Sequence, residues 1–136
     1  MPTNATGSRA QRHHLHALQV IDATVTFSTA GIASGVEIGI IPKGAQILQC
    51  LVNVETAFNA ASTNVLVVGY GASLDEIVAA GGVDESSATA QAVTTGLGLE
   101  HTVDRVIKAK YTQTGTAATA GRARIVIVFS EHEKVY

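Results

Sequence analysis

One cysteine, no tryptophan, three phenylalanines, three tyrosines and two prolines in 136 residues deny this chain several kinds of chemistry. A single cysteine excludes an intramolecular disulfide. Cys50 falls on the apolar side of an alternating run, so it reads as a buried structural thiol and not a nucleophile, and this usage fits folding in a reducing compartment. The scarcity of aromatics argues against a carbohydrate platform of stacked rings and against a base-stacking surface for nucleic acid. No run approaches the roughly 20 apolar residues of a membrane span, and the opening MPTNATGSRAQRHHLH has no apolar core of signal-peptide length. The expectation is a soluble, unexported protein without a membrane partner. A net charge of −2 is too small to argue for general nucleic-acid binding.

What the chain has in place of these features is two-residue alternation of apolar and polar side chains. Ile21, Ala23, Val25 and Phe27 alternate with Asp22, Thr24 and Thr26; Leu48, Cys50, Val52 and Val54 alternate with Gln49, Asn53 and Glu55; Ala123, Ile125, Ile127 and Phe129 repeat the pattern near the end. Successive strand side chains point to opposite faces, so each run offers one apolar and one wetter surface. An all-β, single-domain antiparallel β-sandwich follows, with Val25, Phe27, Val52, Val54, Ile125 and Ile127 facing its core. The length suits one domain able to bury its own core.

Three parts are expected: a flexible N-terminal arm over 1–16, a sandwich over 17–130 and a charged tail over 131–136. Strands are predicted over 18–28, 35–41, 46–58, 64–70, 103–112 and 122–130, with a weak one inside 84–98. Pro42-Lys43-Gly44 sets a tight reversal. The strand over 64–70 is apolar on both faces and reads as central in its sheet. Ser73 and Glu76 have capping-box spacing ahead of Gly81-Gly82, which predicts a short helix near 73–80. Seven or eight strands suit a jelly-roll or an immunoglobulin-like sandwich, and periodicity does not separate the two.

No catalytic constellation emerges. His13, His14 and His16 resemble a metal-binding cluster, and His14-Leu15-His16 mimics an HxH pair, but the acid such a site needs is missing nearby. No serine sits in a GxSxG elbow, His101 and His132 lack evident partners, and no glycine-rich stretch matches a phosphate loop. The expectation is therefore a non-enzyme with no cofactor and no metal.

Charge is distributed in blocks. Between Ser73 and Asp104 lie Asp75, Glu76, Asp84, Glu85, Glu100 and Asp104 without a base; from Arg105 to Arg124 lie Arg105, Lys108, Lys110, Arg122 and Arg124 without an acid. Arg9, Arg12, Lys108, Lys110, Arg122 and Arg124 are the candidate protein-interface residues, and such blocks suit complementarity between chains.

The stretches Ile41-Pro42-Lys43-Gly44-Ala45-Gln46-Ile47, Val52-Asn53-Val54-Glu55-Thr56-Ala57-Phe58-Asn59 and Thr63-Asn64-Val65-Leu66-Val67-Val68-Gly69, with the closing run from Thr116 to Val128, resemble small virion proteins of tailed bacteriophages. Over about 35–130 the chain is similar to head decoration or cement proteins, of the jelly-roll kind found in a Bordetella podophage. The resemblance implies a jelly roll that binds and stabilises the outside of a capsid by bridging major capsid protein subunits. It implies partnership with the major capsid protein and with itself, a dimer being favoured, and a virion location after synthesis in the host bacterial cytoplasm. Another structural component, such as a tail-tube, head-completion or fibre-base protein, is the alternative; a small-ligand-binding or cupin-like sandwich is a further one.

Overall fold

A computed structural model describes residues 18–98 and 101–130. Seven strands run in the order β1 (Leu18–Thr26), β2 (Val36–Ile41), β3 (Gln46–Thr56), β4 (Thr63–Gly69), β5 (Ala90–Val93), β6 (Arg105–Thr114) and β7 (Arg122–Ser130). They form a four-stranded sheet, β1-β7-β3-β5, and a three-stranded sheet, β2-β6-β4, all pairs antiparallel. The pairings are nested. β1 pairs with β7, β2 with β6 and β3 with β5, while β4 makes an isolated bridge from Val68 to Val78. A long ribbon of nested pairs rolled up so that β7 meets β3 and β6 meets β4 is a jelly roll, here with its eighth strand reduced to the bridge at Val78.

Alternation builds the core as expected. Ile21 and Val25 of β1, Cys50, Val52 and Val54 of β3, Ile107, Ala109 and Tyr111 of β6, and Ala123, Ile125, Ile127 and Phe129 of β7 are buried between the sheets. Phe27 departs from its expected place: it lies past the end of β1 and is half-buried against the core. Leu48 departs further. The β3–β7 register shifts between Ile47 and Gln49, so Leu48 is an inserted, bulged residue at 48% exposure while Ile47 takes the inward position. On the side where β1 meets β2, Gly39 lets the two sheets close, because a Cβ there would stand 2.8 Å from Ile21 Cδ1.

No helix occurs among the described residues, so the segment 73–80 corrects the expectation. The Glu76 carboxylate does not reach back to Ser73; its Oε1 accepts from the backbone N–H of Tyr70 at 2.8 Å and of Gly71 at 3.0 Å. Ile77 and Val78 both donate their N–H to the Val68 carbonyl at 2.9 Å, and Val68 donates to Val78 at 3.2 Å. Leu74, at φ 57°, leaves helical conformation altogether. Pairing with β4 outcompetes a two-turn helix that has little intrinsic stability of its own.

The strand expected to be central, β4, is an edge strand with a covered edge. Its outward N–H groups find Val78 at Val68 and the Glu85 carboxylate at Leu66 (2.7 Å), so the crossing segment hides what would otherwise be an open template for pairing. The Pro42 turn forms as expected. Gly44 adopts φ 87°, and Ala45 donates to the Pro42 carbonyl.

Candidate interaction surfaces

β6 and β7 are the inner strands of different sheets, and their odd-numbered residues fill the core. Lys108 and Lys110 therefore project from the outer face of the three-stranded sheet, and Arg122 and Arg124 from the outer face of the four-stranded sheet. The sandwich does not bring the four cations together as one basic face. Arg9 and Arg12 lie outside the described residues, as do His13, His14, His16, His132 and Glu100.

The two arginines already have partners. Arg124 Nε donates to Asp22 Oδ1 at 2.8 Å, and Arg122 Nε to Glu55 Oε1 at 2.9 Å, each across neighbouring strands. The hydrogen bond from Arg124 holds the Asp22 carboxyl below its usual range, and the same contact raises Arg124. The second register shift in β3, between Val54 and Thr56, turns Glu55 outward beside Arg122. On the other face Lys108 stands opposite Glu37 in register and Lys110 opposite Val67. Lys108 is exposed and Lys110 half-buried.

Four acids of the block bind the chain's own backbone. Glu76 serves Tyr70 and Gly71; Glu85, buried, serves Leu66; Asp84 accepts from Ser86; Asp104 Oδ1 accepts from the Lys43 N–H at 2.8 Å. Burial pushes the Glu85 carboxyl up, against the lowering effect of the Leu66 N–H. For Glu76 burial also opposes ionisation, but the N–H groups of Gly71 and Tyr70, with Arg105 nearby, hold it low overall. A Cβ on Gly69 or Gly71 would collide with that carboxylate. Glu85 ties its loop to β4 and the other three hold turns and loops in place, roles that charge counting along the sequence does not reveal.

Sequence reasoning also missed a cluster at the end of the sandwich near the Pro42 turn. The Arg105 guanidinium lies 4.6 Å over the Tyr70 ring, whose edge meets buried His101 at a centroid distance of 5.3 Å. Burial, then the Arg105 charge, lowers the His101 pKa, which keeps the imidazole neutral at pH 7. His101 exchanges backbone hydrogen bonds with the turn, its carbonyl accepting from Gly44 and its N–H donating to Ala45. Among the described residues no three His, Cys, Asp or Glu side chains gather at metal-ligating range. An open cleft of about 380 Å³ lies beside Asp84, Glu85 and Ser86, and the Ser86 hydroxyl donates to Asp84 Oδ1 at 2.6 Å.

Two of the segments that carried the phage resemblance meet in space. Asn59 Oδ1 accepts from the N–H groups of Thr119 (2.8 Å) and Ala120 (3.0 Å), Asn59 Nδ2 donates to the Thr119 hydroxyl, and Phe58 packs on Tyr111 at 4.6 Å and against Gly121. The segment 55–59 and the hairpin 116–121 thus form one structural corner.

The sandwich matches a chain of the cyanophage Pam1 capsid asymmetric unit with a TM-score of 0.67 and 21% identity, covering 85% of each chain. It shares its fold with chains of bacteriophage capsids. A chain of the acid-stable capsid of Helicobacter pylori bacteriophage KHP30 matches with TM-score 0.62 and 15% identity over 85% of this chain and 89% of that one. A chain of the Ralstonia phage GP4 capsid matches with 0.61 and 18% over 88% and 86%. No protein-family model matches the sequence, and no curated protein does.

Proposed function

We propose that the protein is a non-enzymatic virion component, a cement or decoration protein that binds the outer surface of a phage capsid and bridges major capsid protein subunits. It acts as a homo-oligomer, a dimer, and its partners include neither nucleic acid nor membrane. The observation that carries this reading is the fold, matched along 85% or more of both chains in three phage capsids. The corner of Asn59 and the hairpin 116–121 supports it, because those motifs carried the resemblance to podophage cement proteins. The physics suits the role. A rigid sandwich spanning a joint between subunits loses little conformational entropy on binding, and weak contacts repeated over a shell add up.

The test mixes purified protein with capsids of its phage assembled without it. Cosedimentation at symmetry-defined stoichiometry, density on the shell exterior and a higher shell melting temperature are the expected results. Absence of binding at low and moderate salt overturns the reading, and localisation to the tail moves the protein to the alternative class of structural component.

A further inference from the structure

We propose that His101 is an acid-operated latch, whose protonation releases the end of the sandwich formed by the Pro42 turn and the segment 101–105. The proposal is independent of what the protein binds.

His101 is 5% exposed, and its main chain holds the turn: its carbonyl accepts from the Gly44 N–H at 2.6 Å and its N–H donates to the Ala45 carbonyl at 3.0 Å. Asp104 adds a third tie, Oδ1 accepting from the Lys43 N–H across 61 residues of chain. Behind these ties lie Ile41 and Ala45, both fully buried. One residue thus supplies both the buried ring and two of the three ties, so an event that expels the ring also frees the turn.

The ring sits where a second positive charge has no place. Among the described residues neither His101 Nε2 nor Arg105 Nε has a hydrogen-bond partner, and both atoms are buried. The Arg105 guanidinium covers the Tyr70 ring, and Tyr70 packs on the imidazole with the two ring planes 75° apart. A proton on Nε2 creates a buried donor without an acceptor and a cation beside that guanidinium, and both effects cost free energy. The charged groups around the cluster do not relieve this. Asp104 is engaged by the Lys43 N–H, and Glu76 by the N–H groups of Tyr70 and Gly71 on the side of Arg105. Lys43 is a further cation, and it is exposed; Glu100 lies outside the described residues. A neutral imidazole fits this site and an imidazolium does not.

Burial, followed by the charge of Arg105, holds the folded pKa of His101 below 6.5. The opened or unfolded segment takes up the proton at its ordinary pKa while the closed one resists it. The stabilising share of His101 is therefore full above 6.5 and is lost as pH falls from there toward the lower folded value. Carboxylates with ordinary pKa values titrate lower, so the interval from pH 7 to pH 5 reads out histidine. His13, His14, His16 and His132 share that interval, which is why the test compares variants at position 101.

Backbone amide exchange of the full chain, expressed as protection factors, measures the latch directly. Between pH 7 and pH 5 the Gly44 and His101 amides should lose protection at least about threefold, while the Val52 and Ile125 amides in the core strands keep theirs. His101→Phe keeps an aromatic ring beside Tyr70 and removes the proton, so its Gly44 amide should hold the same protection at both pH values. Arg105→Met removes the neighbouring charge; the His101 imidazole followed by NMR should then titrate at higher pH. Constant protection of Gly44 in the wild type overturns the proposal. So does a loss that persists in His101→Phe, a loss shared equally by Val52 and Ile125, or a His101 midpoint that Arg105→Met leaves in place.

Discussion

Val54, 1% exposed on β3 and paired across from Ala123, shows what a single core position is worth. Val54→Asp places a carboxylate where no cation or donor compensates it, and the expected cost of several kcal/mol is of the order of the whole stability of an ordinary domain. Urea titration should find the variant unfolded or nearly so; wild-type stability would mean the register is wrong. Cys50, 2% exposed, is chemically silent for the same reason that Val54 is sensitive. Burial pushes its thiol up to about 11, so almost no thiolate exists at neutral pH. Native protein should resist alkylation for hours, and the thiol should react within minutes in denaturant.

At the scale of an element, the crossing segment that covers β4 depends on two carboxylates with opposite pH behaviour. Glu85→Ala leaves the buried Leu66 N–H without its acceptor and should cost about 1–3 kcal/mol. Glu85→Gln keeps an acceptor, so it separates hydrogen bonding from charge. Because the folded Glu85 carboxyl is raised above 4.5, its stabilising share is full below that value and lost as pH rises through the folded pKa. Glu85→Gln should therefore help more at pH 7 than at pH 4. Glu76 has the reverse sign. Its folded pKa lies below 4.5, so its contribution is present above that value and lost as pH falls through the folded pKa. Glu76→Gln should lower the melting temperature at pH 7 and flatten the acid limb of the melting profile. If both variants shifted the profile in the same direction, the assignment of these two caps would be wrong.

The molecule as a whole has two unlike outer faces, one with the exposed Leu18 and Val20 and one with Lys108 and Lys110 on its middle strand. If the protein binds capsids as proposed, the second face, with Lys108 and Lys110, is the one expected to meet the shell. Reversing Lys108 and Lys110 to Glu should weaken capsid binding; it also sets a carboxylate opposite Glu37, so the melting temperature of the free protein should fall modestly, a cross-strand charge pair being worth about 0.2–1 kcal/mol. Binding that is insensitive to this change, and to salt around 0.1 M where screening acts over about 10 Å, counts against an electrostatic contact. Deleting residues 2–15, expected from their polar composition to act as an attachment arm, should lower capsid affinity without moving the melting temperature of the free protein.

Alternation is a local property with a period of two residues, and for that reason β1, β3, β6 and β7 and nearly all of their inward side chains were legible in the sequence, as was the Pro42 turn. Single inserted residues were not. The bulge at Leu48 exchanges which neighbours face inward, and only the pairing with β7 reveals it. The segment 73–80 carries local helix signals, yet its N–H groups go to β4, a choice made by a strand edge that needed covering. Charge pairing was illegible for a stronger reason: Arg124 meets Asp22 across 102 residues of chain because β7 lies between β1 and β3. Which face a side chain occupies is written in its neighbours along the chain; which face its strand's sheet presents, and to whom, is set by strand order, and strand order comes from tertiary packing.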